Sequence, residues 1–218
     1  MMSEETMAWV CEGKAKVAGL TPTEARCLSF YVNDGFKLVW QWFKDRHNLT
    51  SRQQEQQQQR RERLSDDDKE LATVCCELEQ LFSSPDASMP CNVPLTLYEG
   101  QGRCEQDLIN AKPGEVYWRK RPSSVSWNLE TAKEFLTNDG VLVVHVVFDP
   151  DLRALVTTFE EEDEILLEPD LLIHIDVLTK LRRDVAWDNS VRVLYVKTSK
   201  LKNTDSNPRM LSFDGYEG

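Results

Sequence analysis

The sequence predicts an α+β fold in which a layer of helices comes first and a β-rich core follows. In the first 88 residues the apolar positions recur at helical intervals, and from Pro94 onward they gather into strand-length runs. Only one helical pattern interrupts those runs. Helices followed by strands, rather than regular βαβ alternation, is the pattern of an α+β domain.

The first clear helix opens at Leu20-Thr21-Pro22-Thr23-Glu24. Thr21 can cap it, Pro22 suits the first helical position, and Glu24 closes a capping box three residues on. Asp34-Gly35 is expected to interrupt it. Phe36, Val39, Trp40 and Phe43 then fall at i, i+3, i+4 and i+7, one buried face of a second helix. Residues 51–63, SRQQEQQQQRRER, carry no apolar stripe and read as an exposed extension or loop. Ser65 and three aspartates open a third helix with acidic groups at its positive end. Its stripe is Leu71, Val74, Cys75, Leu78, Leu81 and Phe82, and Ser-Ser-Pro-Asp at 83–86 ends it.

Strands are expected at 95–98, 116–120, 141–148, 165–167, 171–175 and 191–196. The run VLVVHVVF reads as a strand covered on both faces. The single helix among the strands is capped by Asn128 and should bury Ala132, Phe135 and Leu136. Residues after about 200 are polar and expected to fray. The organisation expected is one domain over 1–218: a helical layer (1–88), a β-rich core (89–200) and a polar tail (201–218).

Composition narrows the function. A net charge of −11 argues against a nucleic-acid binder, whose footprint is a basic face. No apolar run approaches the roughly 20 residues that span a bilayer, and no secretory signal is readable at the N-terminus. The cysteines at 11, 27, 75, 76, 91 and 104 form no C-x-x-C pair, which fits reduced thiols in a cytosol. The histidines, His47, His145 and His174, are far apart in sequence, and no metal site is expected.

The order of several short motifs points further. The stretch LTPTEARCLSFYVNDGFKLVWQWF resembles the opening of C3-like and VIP2-like mono-ADP-ribosyltransferases. It is followed by LTLYEG at 95–100, SSVSW at 123–127, AKEF at 132–135 and EDEILLEP at 162–169, then by LLIHIDV and VRVLYVKT. Each motif alone is weak, but together they cover residues 18–198 in the family's order. The resemblance implies an ADP-ribosyltransferase fold, with the helical layer packed on a two-sheet β core. It implies transfer of ADP-ribose from NAD+, as substrate, to a host protein side chain, by a toxin-like effector acting as a monomer in the host-cell cytosol.

The same resemblance assigns roles. Glu164 matches the second glutamate of a Glu-x-Glu pair, which stabilises the oxocarbenium-like ribose as the nicotinamide bond breaks. Read without that frame, Glu164 is one charge in the solvated run EEEDE. Glu162 would face the incoming nucleophile, and a glutamate there goes with an arginine acceptor, whose guanidinium needs a carboxylate to orient or deprotonate it. Ser124 would support Glu164 and border the nicotinamide, with Ser126 and Tyr98 beside the cofactor. Phe159 stands where related enzymes contact their protein substrate, and otherwise reads as turn packing.

One position departs from the pattern. Where the family has an arginine that grips the pyrophosphate, this chain has Glu99 between Tyr98 and Gly100. A carboxylate offers no donor and repels phosphate. Arg103, Arg119 or Arg121 could supply the missing charge. Alternatively, the fold persists as a catalytically impaired protein-interaction module.

Overall fold

A helix that the sequence pattern concealed opens the computed structural model, which describes residues 2–47, 66–101, 106–136, 140–157, 163–180, 192–202 and 208–211. This helix, α1 (Glu4–Ala18), is capped by the Ser3 side chain, which accepts from the Thr6 N–H. Its buried stripe is Thr6, Trp9, Val10, Gly13 and Val17. The spacing is helical, but threonine and glycine give no apolar signal. Gly13 is there because α1 lies so close to the sheet that a Cβ would overlap Val156.

The capping box at Thr21 and Glu24 opens α2 (Pro22–Phe30) as the residues foretold. Asp34-Gly35 does not break the helix, contrary to expectation. The chain stays helical through a π-helical turn (Tyr31–Gly35) and runs into α3 (Phe36–His47). An extra residue per turn of this kind re-aims side chains without a break and often occurs at functional sites. The last helix of the layer is α4 (Asp66–Ser83). Val74, Cys75, Leu78, Leu81 and Phe82 bury against Leu28, Tyr31, Val39 and Phe43, and this core reaches the sheet through Leu155 and Leu166.

The remaining elements are β1 (Met89–Gln101), α5 (Gln106–Asn110), β2 (Val116–Arg119), β3 (Ser123–Ser126), α6 (Leu129–Glu134), β4 (Val141–Val156), β5 (Glu164–Leu167), β6 (Leu171–Lys180), β7 (Arg192–Lys200) and β8 (Arg209–Met210). Their order is β1-β3-β5-β4-β7-β6-β2-β8, with β1 also paired to β4. The two long strands therefore pair with each other as well as with their other neighbours in the sheet. The first half of β4 runs parallel to β7, and its second half pairs antiparallel with β5. Leu95, Leu97, Val125, Ile165 and Leu167 fill one core, and Val143, Ile173, Leu194 and Val196 fill another. The α+β class is the one expected, helices first and a β-rich core after them.

Further details differ from the sequence reading, beginning with the short helix α5, a second helix among the strands where one was expected. VLVVHVVF is covered on both faces only as far as His145, because Val146 and Phe148 are 47% and 63% exposed. Ala132 is buried, but Phe135, at the C-terminal cap of α6, is 55% exposed. The tail is partly tied down: β8 pairs with β2, and the Leu211 N–H donates to the Trp118 carbonyl.

Candidate active site

Strand register assembles the serine and glutamate motifs. Tyr98 pairs with Ser126, and Ser126 pairs with Glu164, so β1, β3 and β5 present these residues in one row. Ser124 lies two residues along β3, on the same face. Its hydroxyl donates to Glu164 Oε1. Glu164 is 6% exposed, at the end of a strand whose other residues are fully buried. The Glu164 carbonyl accepts from the backbone N–H and the hydroxyl of Thr157, at 3.0 and 3.2 Å.

The helical layer forms the adjoining wall. Tyr31, in the π-helical turn, is buried, and its hydroxyl accepts from Trp40 Nε1 at 2.9 Å. Burial pushes the Tyr31 hydroxyl well above the usual phenol range, partly offset by the positive charge of Arg121. The Arg121 guanidinium stacks on Trp40 with its carbon 3.7 Å from the ring centroid. At that distance a cation–π contact helps hold a buried charge in place.

Glu99 lies on the opposite face of β1 from Tyr98 and is buried. Arg119 Nη1 lies 3.1 and 2.8 Å from its two oxygens and 2.8 Å from Ser123 Oγ. Gln101 Nε2 donates to Oε1 at 2.5 Å. His145 Nε2 meets Oε2 at 2.9 Å, while its Nδ1 faces Thr198 Oγ1 at 2.9 Å. A carboxylate can only accept, so Nε2 carries the hydrogen. Arg121 Nη2 stands 3.8 Å from the same carboxylate. Burial opposes the charged form, but Arg119, His145 and Arg121 outweigh it and hold Glu99 well below the usual carboxylate range. Two guanidiniums against the Glu99 carboxylate neutralise it. The local field is thus not the anionic one that the glutamate suggests by itself.

Ser124, Ser126, Tyr98 and Glu164 are therefore brought together. Arg119 is adjacent but 1% exposed, with its Nη1 turned toward Glu99 and Ser123. Arg103, Phe159 and Glu162 lie outside the described residues. Among the described residues there is no metal-binding cluster, no disulfide-bonded cysteine, and no helix long and apolar enough to cross a membrane. Sequence reasoning missed His145 and Gln101 as partners of Glu99, and Ser123 as a partner of Arg119. A histidine within VLVVHVVF was the available signal, since a polar group in a buried strand needs a partner.

No family model and no curated protein matches the chain. Solved structures do. ADP-ribosyltransferase Vis from Vibrio splendidus, crystallised with agmatine, superposes with a TM-score of 0.58 at 15% identity, covering 96% of this chain and 92% of that one. The Clostridium limosum C3 exoenzyme gives 0.57 at 14% identity, over 89% and 93%. Exoenzyme S from Pseudomonas aeruginosa, in complex with human 14-3-3 protein beta and bound to carba-NAD, gives 0.54 at 12% identity, over 87% and 81%. The chain thus has the fold of ADP-ribosyltransferase toxins.

Proposed function

We propose that this protein is a mono-ADP-ribosyltransferase that moves ADP-ribose from NAD+ to a side chain of another protein. The observation that carries the reading is the Ser124–Glu164 pair, set in one row with Ser126 and Tyr98. The bond between the ribose C1′ and the nicotinamide nitrogen breaks, and its electron pair leaves with neutral nicotinamide. Glu164 stabilises the positive charge left on the ribose, and Ser124 fixes the carboxylate before that charge develops. The acceptor's nucleophile then bonds to C1′ and gives up a proton. Glu162 would orient a guanidinium at that step. An arginine acceptor is supported by this residue, and by the agmatine bound in Vis, itself a guanidinium. Carba-NAD in Exoenzyme S supports the donor. The working compartment we propose is the host-cell cytosol, with the protein monomeric.

Incubation with labelled NAD+ and cell lysate tests the reading. A labelled acceptor that disappears with Glu164→Ala is expected, and no labelling by the intact protein would overturn it. A second reading is favoured by one observation, the enclosure of Glu99 by Arg119 and Arg121, which turns both toward an internal partner. On it, the fold serves as a protein-interaction module that does not turn over NAD+. Nicotinamide release from NAD+ separates the two, because turnover by the intact protein is incompatible with the module.

A further inference from the structure

Asp163 occupies the left-handed region at φ 44°, a conformation uncommon for a residue with a side chain. Two neighbours hold it there. Ser126 Oγ donates to its carbonyl at 3.0 Å, and Asn128 Nδ2 donates to its carboxylate Oδ2 at 3.2 Å. The Asn128 N–H in turn donates to Ser126 Oγ at 2.9 Å, closing a ring of contacts. The other end of the same amide, Oδ1, accepts the Glu130 N–H at 3.0 Å and caps α6. That helix is seated on β1, since a Cβ on Gly100 would overlap the Ala132 carbonyl. A continuous path therefore runs from β1 through α6 and Asn128 to the residue just before Glu164.

We infer that Asn128 is a positioning residue for Glu164: its amide ties the turn at Asp163 to the cap of α6 and so fixes the direction in which the carboxylate leaves β5. This rests on the transferase reading for its kinetic consequence and on geometry alone for its structural one. A single amide serves both ends, so the two roles separate by substitution. Asn128→Ser keeps a side chain that caps helices well but is too short to reach Asp163. Asn128→Asp keeps the cap and sets two carboxylates against each other. Combining Asn128→Asp with Asp163→Asn exchanges donor and acceptor and restores the bond.

The first measurement is steady-state nicotinamide release from NAD+. Asn128→Ser should lower kcat about tenfold with KM within about twofold, since a slight misplacement of a catalytic group is felt mainly in the transition state. Asn128→Asp should fall further, and the exchanged pair should return to within about threefold of the parent. A purely structural cap would leave Asn128→Ser at parental kcat, and a pair as impaired as Asn128→Asp would likewise overturn the inference. The second measurement is amide hydrogen exchange, which needs no turnover. Asn128→Ser should speed exchange at 163–165 and leave α6 protected, and the exchanged pair should restore the parental rate. Unchanged exchange at 163–165 would overturn the inference. If the parent releases no nicotinamide while the exchange pattern holds, the transferase reading fails and the anchoring role of Asn128 stands.

Discussion

Removing the Glu99 carboxylate should unfold this protein more readily than any other single truncation in the site. Arg119 is 1% exposed and Glu99 5%, with two of the hydrogen-bonding distances between them at 3.1 and 2.8 Å. Glu99→Ala leaves a guanidinium buried without its counter-charge, and breaking one side of such a pair costs about 3–5 kcal/mol. For a chain of this length each kcal/mol moves the Tm by about 2–4 °C, so a fall of roughly 6–20 °C is expected. Replacing both members, as Glu99→Leu with Arg119→Met, removes the stranded charge and should recover most of the loss. The sign with pH is also fixed. Glu99 is held below its ordinary value of 4.5, so its contribution is fully present above that pH and lost as pH falls below it. The acid-limb slope should therefore be shallower in Glu99→Gln than in the parent. Thermal denaturation at pH 7 and at pH 4 reads both effects. A Glu99→Ala protein melting within about 2 °C of the parent would refute the reasoning.

Three further substitutions test other joints. Ser124→Ala should lower kcat for nicotinamide release about 10- to 100-fold, with the Tm within about 3 °C, because it frees the Glu164 carboxylate without opening the core. Gly100→Ala should destabilise by about 1–3 kcal/mol in denaturation, since the new methyl meets the Ala132 carbonyl rather than a yielding side chain. Thr21→Ala should cost about 1 kcal/mol, a Tm shift of about 2–4 °C, by removing the side-chain half of the capping box.

The legible parts of the sequence were those decided by local chemistry. Thr21, Pro22 and Glu24 define a helix start whatever lies around them, and the α4 stripe follows from one period. Helix α1 was hidden because Thr6 and Gly13 complete its buried face by close approach rather than by apolar bulk. The π-helical turn looked like a break because Asp-Gly ordinarily ends a helix. Phe135 was assigned to the core by its period, yet α6 ends before that residue and turns it outward.

For the site, motif order brought Ser124, Ser126, Tyr98 and Glu164 to attention, and strand register supplied the contacts. The surroundings of Glu99 were not legible. Its direct partners come from β1, β2 and β4, with Ser123 of β3 and Thr198 of β7 bonded to Arg119 and His145 in turn, and no spacing along the chain encodes which of these residues meet. A glutamate that reads as a repulsive substitution in one strand becomes, in three dimensions, the centre of a paired network. The Asn128–Asp163 clamp was half visible, since the cap was expected and the second use of the same amide was not.

Nicotinamide release from NAD+ by the intact protein and by Glu164→Gln tests the central claim most directly. Release by the parent, falling at least about 100-fold in the variant with an unchanged Tm, is the predicted result. No release by a folded parent at millimolar NAD+, or equal release by Glu164→Gln, would contradict it.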